Sequence, residues 1–174
     1  MIHKYIRYKV LQEFFDFPRK NFQIRELVRK IKLGQPSVTN HLKELLKEEF
    51  IIKEKKGIYP SFRANRDNEN FKLLKKFNIM QRILEIGLLD YIYDSCLSNV
   101  IILFGSASKG EDIEESDIDL FIQSKEKKLN LDKYEKKLNR KINLFFEENI
   151  LKLSKELKNN IINGIILKGY LSLF

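Results

Sequence analysis

The sequence predicts an α+β protein built from two modules and a connector. Apolar residues recur at helical spacing in the first fifty residues, and two β-prone runs follow them. Further short apolar runs, bounded by turn residues, lie in the C-terminal part of the chain. With 174 residues and 43% hydrophobic content, the chain is long enough for two small cores. We therefore divide it into residues 1–66, a helical connector at 67–97 and a C-terminal module at 98–174.

The N-terminal module begins with three predicted helices between residues 4 and 46. Their apolar residues recur three or four positions apart, which is typical of a helix with one buried face. Pro18 ends the first helix. Gly34 and Pro36 separate the second from the third, because glycine commonly ends a helix and proline suits the first turn of the next. Two helices joined by such a short turn form a helix-turn-helix.

Two β-prone runs in residues 50–65 follow the third helix, on either side of the basic turn Lys55-Lys56-Gly57. With this hairpin, residues 1–66 resemble the winged helix-turn-helix domains of bacterial and archaeal regulators. The resemblance implies that the third helix lies in the DNA major groove and that the hairpin meets phosphates. The implied DNA-binding residues are Gln35, Ser37, Thr39, Asn40, Lys43, Lys53, Lys55 and Lys56.

The charge of the chain supports a polyanionic partner for this module. Residues 1–66 contain 16 Lys and Arg against 7 Asp and Glu, whereas the remaining residues contain 17 of each sign. The net charge of +9 therefore lies entirely in the N-terminal module, which favours a nucleic acid, DNA or RNA, as a partner. With the winged-helix resemblance, double-stranded DNA is the expected one. An alternative stays open, because winged-helix domains also serve as protein-interaction modules whose charged faces are merely solvated.

The connector at 67–97 is also predicted to be helical, with a break near Gly87. Its apolar content is too high for a flexible linker. We expect its helices to pack between the two modules or against a second copy of the chain, and the second arrangement would make the protein a homodimer.

The most informative motif is Gly105-Ser106, followed after ten residues by Asp117-x-Asp119. A Gly-Ser turn at the end of a strand offers backbone N–H groups and a hydroxyl to phosphate oxygens. On a strand, residues i and i+2 point to the same face, so the two carboxylates lie about 6–7 Å apart. Such a pair can bracket the Mg²⁺ ions used in phosphoryl transfer.

This motif, together with Gly110 and Ser116, resembles the minimal nucleotidyltransferases of the polymerase-β superfamily. The resemblance covers residues 98–174 and implies a mixed, mainly antiparallel sheet flanked by helices. It also implies a nucleoside triphosphate, expected to be ATP, bound with Mg²⁺ or Mn²⁺. The implied roles are phosphate binding by Gly105, Ser106 and Lys109, and metal binding with catalysis by Asp117 and Asp119.

Active members of that family usually supply a third carboxylate from a later strand. The corresponding run here is Lys141–Phe146, and the position that aligns with the carboxylate is Asn143. An amide oxygen can bind Mg²⁺, but it carries no charge and cannot act as a general base. Glu147 has the same strand parity and is the alternative, provided that the strand shifts or bulges.

Two functions therefore stay open, and with them whether the protein is an enzyme. The first is a DNA-binding nucleotidyltransferase that moves a nucleoside monophosphate onto a protein or nucleic-acid acceptor. Some relatives adenylylate toxins with which they are paired, so the resemblance includes such a protein acceptor. The second is a DNA-binding transcriptional regulator whose nucleotidyltransferase-like domain binds nucleotide with little or no catalysis.

Composition excludes several other classes. The single cysteine, Cys96, excludes an intramolecular disulfide and a cysteine-based zinc site. No apolar stretch reaches the length of a membrane span, and the N-terminus lacks a signal-peptide pattern. We therefore expect a cytoplasmic protein with no membrane partner.

Overall fold

The structure, a computed structural model, describes residues 6–55 and 59–171. These residues form eight α-helices and two β-sheets, which confirms the predicted α+β class. The chain divides into two compact units, Met1–Lys75 and Lys76–Phe174. The division into three segments at residues 66/67 and 97/98 stays a prediction.

The first unit combines three helices with a three-stranded antiparallel sheet. The sheet has the order β1-β3-β2. In chain order, the elements are α1 (Ile6–Asp16), β1 (Phe22–Gln23), α2 (Ile24–Ile31), α3 (Gln35–Lys47), β2 (Ile51–Glu54) and β3 (Ser61–Ala64).

The apolar pattern of the second predicted helix runs from Phe22 to Ile31, but the helix does not begin at Phe22. Phe22 and Gln23 instead form strand β1, which pairs with Phe62 and Ser61 of β3. Helix α2 begins only at Ile24. The Phe22 side chain is fully buried and lies edge-on to Phe14, at a ring-centroid distance of 5.3 Å. Burial of this aromatic ring and pairing with the hairpin therefore outweigh the helical pattern of the local sequence.

Two further helices follow, α4 (Glu69–Glu85) and α5 (Leu88–Cys96). The break between them lies at Gly87, whose φ of 74° is in the left-handed region. A residue without a Cβ adopts this conformation at little cost, so glycine suits the position.

The second unit is built on a mixed four-stranded sheet. Its strands are β4 (Val100–Phe104), β5 (Ile118–Ile122), β6 (Ile142–Phe146) and β7 (Ile165–Gly169), in the order β6-β5-β4-β7. The β5/β6 pair is parallel, and the other two pairs are antiparallel. The expectation of a mixed, mainly antiparallel sheet is therefore confirmed.

Hydrophobic residues cover both faces of this sheet. Ile118, Leu120 and Ile122 lie in a buried cluster on one face, as their alternation predicts. Phe104 and Phe121 belong to a smaller cluster on the other. The remaining helices are α6 (Gly105–Lys109), α7 (Asp132–Leu138), α8 (Lys155–Ile162) and a single 3₁₀ turn (Ile150–Lys152).

The C-terminal helix differs from its prediction at both ends. The sequence predicts one helix from Leu151 that is capped by Gly164. The structure begins α8 after Ser154, whose hydroxyl accepts a hydrogen bond from the backbone N–H of Leu157 at 3.2 Å. Gly164 is needed for a different reason, because a Cβ there would lie 2.6 Å from the carbonyl oxygen of Leu103. Glycine therefore allows the α8–β7 turn to approach β4 closely.

Among the residues that the structure describes, no helix is both long and apolar enough to cross a lipid bilayer.

Candidate active site

The two aspartates of the motif lie at the start of β5. Asp117 immediately precedes the strand and is exposed, whereas Asp119 is its second residue and is half-buried. Asp119 is paired with Phe104, the last residue of the antiparallel neighbour β4. This register places Asp119 next to the turn that begins at Gly105.

Asn143 completes the group from the other neighbouring strand. The parallel pairing of β5 and β6 sets Asn143 opposite Asp119. The side-chain N–H₂ group of Asn143 donates to Asp117 Oδ2 and to Asp119 Oδ1, each at 3.1 Å. The amide thus bridges the two carboxylates and offsets part of their mutual repulsion. Asn143 therefore lies against both aspartates of the motif.

This donor set fits a hard divalent cation. Within residues 6–55 and 59–171, no group of three or more His, Cys, Asp or Glu side chains is placed to hold a metal. However, Mg²⁺ is commonly bound by only one or two carboxylates, with water and substrate phosphates as its other ligands. Asp117 and Asp119 supply those carboxylates, and rotation of the Asn143 amide by 180° would present its oxygen. The residues therefore fit a Mg²⁺ that is shared with a phosphate ligand.

Gly105 lies directly against this group. Its φ is 72°, and a Cβ built on it would lie 2.6 Å from Asp119 Oδ2. The backbone conformation therefore favours glycine, and a side chain here would fit only if the Asp119 carboxylate moved. Ser106 follows in the first turn of α6 and is half-buried, whereas Lys109 ends this helix and is exposed. The backbone beside Asp119 is thus left open to a ligand.

Comparison with known protein families finds a match in the C-terminal part of the chain. Residues 97–171 match the family described as Polymerase beta, Nucleotidyltransferase. The match covers fewer than half of the residues of the chain, and it supports the nucleotidyltransferase part of the resemblance. Comparisons with curated proteins and with solved structures found no significant match.

A buried ion pair in the second unit holds the loop that leads to Asp117. Arg140 Nη1 lies 3.0 Å from Asp112 Oδ2 and also donates to the carbonyl oxygen of Ser116 at 3.1 Å. Ser116 in turn accepts a hydrogen bond from the Ile113 N–H through its hydroxyl oxygen. Arg140 thereby ties the start of β6 to the residue before Asp117. Sequence reasoning missed this pair, because no local spacing links an arginine to an aspartate 28 residues away.

Glu135 anchors the same end of β6. Its carboxylate accepts from the backbone N–H of Ile142 at 3.0 Å and from Lys141 Nζ at 2.9 Å. The hydrogen bond from Lys141, followed by that from the Ile142 N–H, lowers the pKa of Glu135 below its usual value. Glu135 therefore fixes the residue that immediately precedes Asn143.

This lowered pKa predicts an acid-dependent contribution to stability. A carboxylate whose pKa falls on folding stabilises the native state above its unfolded pKa, and this stabilisation is lost as the pH falls through the folded pKa. We expect Glu135→Gln to unfold at lower urea concentration than wild type at pH 7. The difference should shrink as the pH falls below the usual carboxyl pKa of about 4.3. A difference that does not change with pH would contradict the assigned role, and Glu126→Gln, at an exposed site, is the control.

The residues predicted to bind DNA occupy different environments on α3. Gln35, Asn40 and Lys43 are exposed, whereas Ser37 and Thr39 are half-buried. The Thr39 hydroxyl donates to the backbone carbonyl of Gln35 at 2.8 Å, so its proton is used within the helix. Asn40 and Lys43 are therefore the predicted residues in the middle of α3 whose side chains are accessible to DNA.

The predicted contacts in the hairpin are only partly described. Lys53 on β2 and Lys55 just after it are exposed, and Lys56 lies outside the described residues. Sequence reasoning omitted Lys47, which is exposed on α3 four residues after Lys43. Helical spacing was the available signal, since residues i and i+4 share a face.

Proposed function

We propose that the protein is a Mg²⁺-dependent nucleotidyltransferase that moves a nucleoside monophosphate from a triphosphate, with ATP the expected donor, to a protein or nucleic-acid acceptor. One observation carries this proposal. Asp117, Asp119 and Asn143 meet beside Gly105 within a domain that matches a nucleotidyltransferase family.

The reaction would be an in-line displacement at the α-phosphorus. The acceptor oxygen forms a bond to this phosphorus while the bond to the bridging oxygen breaks, and pyrophosphate leaves. Mg²⁺ or Mn²⁺, held by Asp117 and Asp119, would neutralise charge on the phosphates. The backbone at Gly105 and Ser106 would admit the β- and γ-phosphates, and Lys109 would add a positive charge. The acceptor proton would pass to a carboxylate, since the Asn143 amide cannot accept it.

The direct test is a transfer assay with triphosphate labelled at the α-phosphate. The purified protein is incubated with Mg²⁺ or Mn²⁺ and with candidate acceptors, namely a paired toxin, other partner proteins, RNA and DNA. We expect label on an acceptor, and its loss in the double variant Asp117→Asn/Asp119→Asn. Asp132→Asn, at an exposed site, is the matched control. Absence of transfer to every acceptor would count against the enzymatic proposal.

A second candidate function is a DNA-binding regulator whose domain senses nucleotide without chemistry. The observation that favours it is Asn143, an amide where active relatives carry a carboxylate. It predicts that Mg·ATP changes the DNA affinity of the wild-type protein and that Asn143→Asp strengthens metal binding. Equal DNA affinity with and without Mg·ATP would rule out sensing.

DNA binding by the first unit is part of both proposals. The order helix, short strand, two helices and hairpin supports a winged helix-turn-helix, in which α3 would be the recognition helix. Within the described residues, Lys43, Lys53 and Lys55 form no ion pair, so their charges are available to phosphates.

This proposal predicts a steep dependence of DNA affinity on salt. Each neutralised phosphate contributes about −0.9 to the slope of log K against log salt concentration. We expect the triple variant Lys43→Gln/Lys53→Gln/Lys55→Gln to reduce the slope by about 2–3 and to weaken binding to all sequences. Fluorescence anisotropy over a salt series measures both effects, with Lys152→Gln, in the second unit, as control. A flat salt response of the wild-type protein would indicate a protein partner instead.

The homodimer also stays a proposal. Helix α4 exposes Phe77 and Leu84, which lie seven residues apart and so on one helical face. Two such apolar side chains would support pairing with a second copy. Light scattering at micromolar concentration distinguishes the mass of a dimer from that of the 20.8 kDa chain.

A further inference from the structure

Phe145 is an exposed aromatic residue beside the aspartate pair. It lies on β6, two residues after Asn143, and 41% of its surface is exposed. Since alternate residues of a strand share a face, Phe145 points to the same side of the sheet as Asn143, about 6–7 Å further along. A large apolar group therefore borders the group of Asp117, Asp119 and Asn143.

The Phe145 ring packs against a second aromatic ring. It contacts the ring of Phe104 edge-to-face, with centroids 5.3 Å apart and planes at 72°. Phe104 is only 6% exposed and is the strand partner of Asp119. Phe104 on β4 and Phe145 on β6 lie on either side of β5, the strand that carries Asp119, and their rings are in contact. Phe104 is the buried ring of the pair, and Phe145 is the accessible one. This contact already restricts the Phe145 side chain. Binding of a flat ligand to the ring therefore costs little further conformational entropy.

We propose that the ring of Phe145 stacks against the nucleobase of the bound nucleoside triphosphate. The inference rests on the proposed function, in which the backbone at Gly105 and Ser106 admits the β- and γ-phosphates and Asp117 and Asp119 hold the metal. The ribose then spans the distance from the aspartates to the aromatic surface. A phenyl ring offers no hydrogen-bond donor or acceptor, so Phe145 contributes affinity for any base rather than a choice among bases.

Comparison of ATP with inorganic tripolyphosphate separates base binding from phosphate binding. Both ligands are titrated in the presence of Mg²⁺ into the full chain, and the dissociation constants are measured by calorimetry. We expect Phe145→Leu to weaken ATP binding about tenfold and to leave tripolyphosphate binding unchanged. Phe145→Tyr should retain wild-type affinity for ATP, because it keeps an aromatic face. Tyr170→Leu, which removes another exposed aromatic ring, should change neither affinity.

Unchanged tripolyphosphate binding also shows that the variant is folded at the site. Equal weakening of both ligands by Phe145→Leu, or no weakening of either, would overturn the stacking role and leave the proposed function intact. Failure of the wild-type protein to bind either ligand would instead overturn the proposed function, and the stacking role with it.

Discussion

Replacing Asp119 with asparagine is expected to weaken Mg²⁺-dependent ATP binding by at least about a hundredfold. Asp119 is the centre of the site. Its carboxylate accepts a hydrogen bond from the Asn143 amide and lies against Gly105, and its backbone pairs with Phe104. The substitution removes a charge that the cation needs but keeps the shape of the side chain. Titration calorimetry with and without Mg²⁺ measures the effect.

This loss should not come from unfolding. Asp117 and Asp119 both face the Asn143 amide, so removing one charge relieves repulsion in the metal-free protein. The melting temperature of Asp119→Asn should therefore equal or exceed that of wild type. Wild-type ATP affinity in this variant, with its Mg²⁺ dependence intact, would contradict the assigned metal site.

Replacing Arg140 with methionine is expected to destabilise the second unit by about 3–5 kcal/mol. The side chains of Arg140 and Asp112 are only 9% and 4% exposed, so the substitution removes the Arg140 cation from beside a buried carboxylate. It also removes the hydrogen bond to the Ser116 carbonyl, and with it a restraint on the loop before Asp117. Urea unfolding monitored by circular dichroism measures the change.

A double variant provides the control for Arg140. Asp112→Leu/Arg140→Met replaces both charges with apolar groups and is expected to recover most of the lost stability. Such recovery would show that the loss of stability in Arg140→Met comes from the buried charge of Asp112 and not from lost packing. A cost below about 1 kcal/mol for Arg140→Met alone would contradict a structural role for the pair.

The sheet of the second unit could be predicted because its strands are short apolar runs between turn residues. Val100–Phe104 and Ile118–Ile122 flank the motif, and both form strands at those positions. Asn143 was assigned to the site because the family resemblance implies a third carboxylate on a later strand, and the apolar run Lys141–Phe146 was matched with that strand. The motif and the family resemblance together therefore led to Asp117, Asp119 and Asn143 as the candidate site residues.

What the sequence did not predict depends on partners distant in the chain. Strand β1 forms because Phe22 meets Phe62, forty residues later, and not because of its neighbours. The need for glycine at position 164 arises from the approach of β4. The spacing from Asn143 places Phe145 on the same face of β6, but its contact with the ring of Phe104, on another strand, could not be read from the local sequence.

The most direct test of the central claim is a crystal structure of the protein with Mg²⁺ and a non-hydrolysable ATP analogue. The claim is that Asp117, Asp119 and Gly105 form one metal and triphosphate site. We expect at least one Mg²⁺ bound to both carboxylates, with the β- and γ-phosphates against the backbone of Gly105 and Ser106. Nucleotide bound elsewhere in the protein, with both carboxylates free of metal, would contradict it.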